Sequence, residues 1–165
     1  MGDSRRFDLM AKLAASHIPL TTHVVDVAAG KGYMQAALRE RGFAAVTSWD
    51  KRPQQAKGRK FYRYGYFDFR SAPRDYGAVV AMHPDEGTDH AVMYAVKHRV
   101  PALICPCCVK PSAVMFNRRH TFHAWVEHLV SLAEAGHMEV QTAMLRMNGK
   151  NLVLILKPSC PGVQA

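Results

Sequence analysis

The sequence predicts an α/β domain: a seven-stranded mixed sheet with helices on both faces, closed by a C-terminal antiparallel hairpin. Three observations predict it. Short apolar runs such as His23 to Ala28 and Ala78 to Met82 alternate with segments of helical periodicity, as parallel strands covered on both sides do. Gly30 and Gly32 follow the first run, where a strand must turn sharply into a helix. Asn148-Gly149 separates two apolar runs near the end of the chain, which signals a hairpin.

The elements follow in order. Ser4 to Ala15 reads as a helix capped by Ser4, with Phe7, Met10, Leu13 and Ala14 on one face. The Val-rich run His23 to Ala28 reads as a buried strand, and Tyr33 to Arg41 as a helix stopped by Gly42. A second strand, Ala45 to Trp49, ends at Asp50, and Pro53 to Lys57 forms one helical turn. Lys60 to Tyr64 alternates and reads as a third strand, at an edge. Ala78 to Met82 is a fourth strand, Asp89 to His98 a helix capped by Asp85 or Thr88, and Ala102 to Cys105 a fifth strand. Arg119 to Ala135 is a longer helix with Phe122, Trp125, Val126, Leu129 and Leu132 on its apolar face. Val140 to Met147 and Leu152 to Lys157 form the closing hairpin. No repeat or linker divides the chain, so one domain over residues 1–165 is expected. Strands and helices in this order resemble the Rossmann-like architecture of the class I methyltransferases.

Composition narrows the function classes. Apolar residues make up 48%, enough for a core without disulfide staples. No apolar run reaches the roughly 18–20 residues of a membrane span. The charged start lacks the apolar stretch of a secretory signal, and Arg6 stands where a myristoylation pattern has Ser or Thr. A soluble, intracellular protein with no membrane partner is expected. Cys105, Cys107 and Cys108 crowd one segment, which suits a reducing compartment. No second CxxC or HxxxH pair accompanies them, so no metal site is expected. The net charge is +9, and Lys51 to Arg74 carries eight basic residues against one acid. That balance favours a polyanion partner.

The run Asp26-Val-Ala-Ala-Gly30-Lys-Gly32 resembles the D-x-G-x-G-x-G loop of the methyltransferase family, with Ala28 at the first glycine position. Small residues let the chain turn and let a ligand approach the backbone. Asp50 follows 24 residues after Asp26, at the end of the second strand, where a carboxylate can accept both ribose hydroxyls of a nucleoside. Loop, acid and spacing together point to S-adenosylmethionine. NAD is the competing ligand, disfavoured by the absence of G-x-G-x-x-G spacing. The resemblance implies that Asp26 lies near the amino-acid end of the cofactor, that Asp50 and its neighbour Lys51 line the ribose, and that Asp68 and Phe69 meet the adenine. Strand-end packing explains Asp68 and Phe69 equally well.

Ligands of open α/β sheets gather at the carboxyl ends of the strands. The fourth strand ends in His83-Pro-Asp85-Glu-Gly-Thr-Asp89, the fifth in Cys105-Pro-Cys-Cys108. His83 and Asp85 are the candidate acid/base residues. These two segments resemble those of the eukaryotic acceptor-stem tRNA ribose 2′-O-methyltransferases, which carry H-L-C-G-x-x-T-D and C-C-H-H. They also resemble related eukaryotic proteins with H-P-D-x-x-T-E and P-C-C-V. The shared pattern covers roughly residues 23–157. Pro84-Asp85 replaces Leu-Cys, and Val109-Lys110 replaces the His pair. A thiolate at Cys107 or Cys108 would instead suit cytosine-5 methylation, which requires a depressed thiol pKa. Apolar filling is the third role open to these cysteines.

Lys60 to Arg70 interleaves bases and aromatic rings, which bind phosphates and stack on exposed nucleobases. Arg59, Lys60 and Arg63 are candidate RNA contacts, joined by a second group, Lys110, Arg118 and Arg119. A solvated edge strand explains the first group in a plainer way. The reading is an RNA methyltransferase, acting on tRNA or rRNA, with recognition from the core surface or a protein partner. A small-molecule or protein methyltransferase, and a non-catalytic methyltransferase-like module in a ribonucleoprotein, remain the alternatives.

Overall fold

A computed structural model describes residues 3–159, so Cys160 lies outside the described residues. Seven strands form one sheet in the order β3-β2-β1-β4-β5-β7-β6. They are β1 (His23–Val27), β2 (Ala45–Asp50), β3 (Tyr62–Tyr64), β4 (Ala78–Met82), β5 (Ala102–Cys105), β6 (Met138–Met144) and β7 (Leu152–Pro158). The first five pair in parallel, and β7 runs antiparallel to both β5 and β6. The helices are α1 (Arg6–Ala15), α2 (Tyr33–Glu40), the single turn α3 (Pro53–Ala56), α4 (Thr88–His98) and α5 (Phe122–Ala135).

Alternate residues of each central strand serve two cores. Val25, Val27, Val79, Ala81, Ile104, Leu154 and Leu156 face α4 and α5, packing on Tyr94, Trp125 and Leu129. Val24, Val80, Met82, Leu103, Val153 and Ile155 face α1 and α2, packing on Met10, Ala14, Met34 and Leu38. Burial on both faces is why these strands read as continuous apolar runs rather than as alternating ones.

Element identities match the sequence reading, while several ends shift. The first helix begins at Arg6, with Arg5 at its N-cap rather than Ser4, and no side chain caps it. The expected cap of α4 is also absent. Gly87 holds that position, and Thr88 instead donates its hydroxyl to the Asp85 carbonyl at 2.7 Å. A single 3₁₀ turn, Asp85–Gly87, leads directly into the helix and leaves no extended residue to cap it. Helix α5 starts at Phe122, because Thr121 is extended and its side chain accepts the Ala124 N–H at 3.2 Å. The hairpin is not a two-residue turn: β6 stops at Met144 and pairs there with Leu152. Asn151 donates its carboxamide to the carbonyls of Leu145 and Met147, which closes a wider loop. That loop buries Leu145 and Met147 in the α1–α2 core.

The chain moves outward from β1 to β2 and β3, then returns to β4 on the other side of β1. The neighbouring carboxyl ends of β1 and β4 are therefore the switch point where open α/β sheets bind ligands.

Candidate active site

A cleft opens at this switch point. Val27 and Ala28 form its floor at the tip of β1, and Trp49 to Arg52 one wall at the tip of β2. Gly65 to Phe67 follow β3, and His83 to Gly87 with His90 close the β4 side. A Cβ on Gly87 would come within 3.0 Å of Val27, so its glycine lets the β4 loop lie directly on β1.

The loop after β1 alternates left-handed residues, with φ of +58° at Ala28, +54° at Gly30 and +74° at Gly32. Glycine adopts this region freely, and Ala28 does so at a cost of roughly 1–2 kcal/mol. The loop is held from outside by the Tyr62 hydroxyl on the Gly30 carbonyl and by Arg59 on the Lys31 carbonyl. Arg59, expected at an RNA surface, is thus a prop of this loop.

Asp50 lies beneath the loop, 3% exposed. Its Oδ2 accepts the Gly30 N–H at 2.8 Å, and Oδ1 accepts the Arg52 N–H at 2.9 Å. The Arg52 guanidinium adds two bonds, at 2.8 and 2.9 Å. Burial pushes the Asp50 pKa up, but the Arg52 contacts and the Gly30 N–H outweigh it and hold the carboxyl below its ordinary value. The guanidinium, half exposed, covers both oxygens of this carboxylate on the cleft wall. Lys51 bridges the cleft mouth to Glu86 and lies 5.2 Å from the Tyr66 ring centre.

Asp26 is buried in β1 and is not among the residues lining the cleft. Its Oδ2 accepts the Ser48 hydroxyl at 2.9 Å. Burial, reinforced by the nearby Asp50 charge and opposed by the Ser48 bond, pushes its pKa up to about 7. Asp68 and Phe69 also stand back from the cleft. Asp68 lies 3.5 Å from His90 Nδ1, and the Phe69 N–H points at the same nitrogen. The aromatic faces that do line the cleft are Trp49, Tyr66 and Phe67. Sequence reasoning passed over these rings and Arg52. The aromatic alternation through Tyr66 and Phe67 is the available signal, and in the sequence it reads as a nucleic-acid surface.

His83 and Asp85 both reach the cleft, each in the left-handed region with φ of +55° and +52°. Neither is glycine, so the loop stores strain here. His83 Nε2 lies 2.7 Å from the Lys150 carbonyl. A carbonyl only accepts, so Nε2 carries the proton and Nδ1 keeps the lone pair. Burial lowers the His83 pKa, which keeps the ring neutral. Asp85 Oδ1 accepts Lys110 Nζ at 3.1 Å and the thiols of Cys108 and Cys107 at 3.0 and 3.5 Å. Burial raises the Asp85 pKa, and these three donors more than reverse it.

The thiols titrate the wrong way for a nucleophile. Burial pushes Cys105 up to about 12 and raises Cys107 and Cys108 as well. The depressed thiol that cytosine-5 chemistry needs is not found at any of the three.

Asp89, buried at the start of α4, holds the segment that follows β5. Its Oδ2 accepts the N–H groups of Ser112, Ala113 and Val114 at 2.7, 2.6 and 3.2 Å, and Oδ1 accepts the Ser112 hydroxyl. This anchor fixes the loop that carries Lys110. Arg118 is exposed and donates to the Pro111 carbonyl at 3.3 Å, and Arg119 is exposed. Along β3 and its approach, Lys60 and Arg63 are exposed together with Phe61, Tyr64 and Tyr66. Arg70 donates to the Ala113 carbonyl at 3.4 Å, which links the segment after β3 to the segment after β5.

No family model and no curated protein matches the sequence. Solved structures do match in shape. Streptomyces venezuelae DesVI superposes with a TM-score of 0.64 at 14% identity, over 94% of this chain and 93% of that one. The fold is that of the class I S-adenosylmethionine-dependent methyltransferases. CalS10, an amino pentose methyltransferase from Micromonospora echinaspora solved with S-adenosylmethionine bound, gives 0.63 at 12% identity over 94% and 92% of the two chains. A methyltransferase-fold chain from Haloferax volcanii, solved in complex with the activator Trm112, gives 0.63 at 13% identity over 96% and 92%. At such identities the class I methyltransferase likeness is one of fold. Among the described residues no helix is long and apolar enough to cross a membrane.

Proposed function

We propose that the protein is an S-adenosylmethionine-dependent methyltransferase that acts on RNA. The observation that carries the reading is the cleft at the β1–β4 switch point. It combines a left-handed loop, a buried carboxylate and aromatic walls with an exposed basic and aromatic edge strand, β3, beside the same wall. The residues present fit the cofactor. Ala28 brings the loop backbone to it, Gly30 and Gly32 give that loop its left-handed turns, Asp50 accepts its ribose hydroxyls once Arg52 withdraws, and Trp49, Tyr66 and Phe67 cover its base. When bound, the cofactor supplies an electrophilic methyl group.

The chain's own residues position the acceptor and take its proton. Alignment of the two reactants supplies much of the acceleration in a methyl displacement. His83 Nδ1, unprotonated on a strained residue that lines the cleft, is the proton acceptor. Asp85 is the second acceptor in the cleft and, with its lowered pKa, the weaker base. Lys60 and Arg63 bind phosphates, and Phe61 and Tyr64 stack on unpaired bases. Arg118 and Arg119 extend the same surface beyond Arg70. A protein partner supplies further substrate recognition, a reading supported by the fold shared with a chain solved bound to Trm112.

The test is incubation of the purified chain with methyl-labelled S-adenosylmethionine and total cellular RNA, followed by nucleoside analysis. One labelled nucleoside, lost on Lys60→Glu/Arg63→Glu substitution and diminished at high salt, is the expected result. Label in small molecules or protein but never in RNA contradicts the substrate assignment. Cofactor binding without any transfer, with and without a partner, supports the non-catalytic module instead.

A further inference from the structure

Neighbouring residues of an extended chain point to opposite sides. The chain bends at Cys108 as it leaves β5, and both thiols turn to one side, with Sγ atoms 3.5 Å apart. Asp85, from the loop after the adjacent β4, brings its Oδ1 to 3.5 Å from Cys107 Sγ and 3.0 Å from Cys108 Sγ. Linear spacing gives no hint of this third donor, since 22 residues separate Asp85 from Cys107. We propose that Asp85, Cys107 and Cys108 form a binding site for a zinc-class divalent cation at the substrate end of the cleft.

The distances support it. Zinc bonds of about 2.3 Å to sulfur and 2.0–2.2 Å to oxygen, at tetrahedral angles, place two sulfurs about 3.8 Å apart and a sulfur and an oxygen about 3.5 Å apart. Two of the three separations already lie within a few tenths of an ångström of these, and Cys108 has only to draw back slightly. A cation already stands on this carboxylate: the Lys110 ammonium, 3.1 Å from Oδ1 on a half-exposed side chain. It is free to swing out when a divalent ion takes its place. Two thiolates select borderline-soft metals over magnesium and calcium, which take oxygen ligands. Three protein ligands leave one position open, as in sites that receive a water or a substrate oxygen. Asp85 lines the cleft and the two thiols stand behind it, so the ion sits at the cleft's edge and occupies the Asp85 carboxylate, leaving His83 as the neutral base of the loop.

The site goes beyond the methyltransferase reading and is tested without measuring methyl transfer. The full chain, kept reduced, is titrated with zinc chloride against a chromophoric chelator. One equivalent binds and persists in millimolar magnesium. Cys107→Ser, Cys108→Ser and Asp85→Asn each weaken binding by at least about 100-fold, the upper end of what losing an outer-shell partner costs. Cobalt(II) added to the unaltered chain gives thiolate charge-transfer absorption and the visible bands of a four-coordinate ion, a readout that needs no variant to fold. A wild-type chain that takes up no zinc, equal affinity in a Cys107→Ser/Cys108→Ser variant, or a cobalt spectrum without thiolate charge transfer overturns the proposal.

Discussion

The tips of β1 and β2 and the tips of β4 and β5 face each other across one cleft but are built by different means. On the β1–β2 side the backbone does most of the shaping. Three left-handed residues within five positions make the loop, and one buried carboxylate ties it down through the Gly30 N–H. On the β4–β5 side the side chains do it. Asp85 gathers two thiols and an ammonium from the neighbouring loop, Asp89 gathers three backbone N–H groups, and His83 reaches the Lys150 carbonyl 67 residues away. A site made by local backbone geometry tolerates side-chain change outside its glycines. One made by long-range side-chain contacts fails when a single partner is removed.

The largest effects are therefore expected on the β4–β5 side. Replacing His83 by Ala should lower methyl-transfer turnover by roughly 10²–10⁴-fold, the usual contribution of a positioned base, while calorimetric cofactor affinity stays within about threefold. Equal losses in both would move His83 into the cofactor site. Replacing Asp89 by Ala should cost about 3–5 kcal/mol in urea denaturation, because the N–H groups of residues 112–114 lose a buried charged acceptor. A loss under about 1 kcal/mol would show that water serves that loop equally well.

The β1–β2 side should give smaller, graded responses. Asp26 has a raised pKa in the folded chain, so the folded state binds its proton more tightly than the unfolded state does. Its contribution to stability is present below the ordinary carboxyl pKa of about 4 and is lost as pH rises toward 7. Asp26→Asn, which cannot ionise, should flatten the fall in stability over that window. An unchanged pH profile would mean that Asp26 is ionised behind Ser48. Ala28→Gly should raise stability by about 1 kcal/mol, since strain at φ +58° exceeds the extra entropy that glycine loses. Destabilisation would show that the Ala28 methyl group packs against the β4 loop more tightly than its backbone strain costs.

The contrast also explains what was legible in the sequence. Strand runs such as Ala78–Met82 and Ala102–Cys105 were readable to the residue because burial on both faces leaves no polar position to blur them. The left-handed turns at Gly30 and Gly32 and the strand-end position of Asp50 are readable because they depend on local backbone shape. Asp26 and Asp68, both read as cofactor residues, do not line the cleft: Asp26 is buried inside β1, and Asp68 lies beyond β3 beside His90. The cap assigned to Thr88 failed because a 3₁₀ turn continues into α4. The Asp85–Cys107–Cys108 cluster, the Asp89 anchor and the Arg52 clasp on Asp50 depend on which loops meet in space, and no periodicity records that.

The central claim is that the cleft over Asp50 receives S-adenosylmethionine, and calorimetric titration of the wild-type chain and of Asp50→Ala tests it most directly. The account predicts one binding site in the wild type and a loss of about 1.5–3 kcal/mol in the variant, from charge-assisted hydrogen bonds to the ribose. Folded wild-type protein that binds nothing at millimolar cofactor, or a folded Asp50→Ala variant with unchanged affinity, would contradict it.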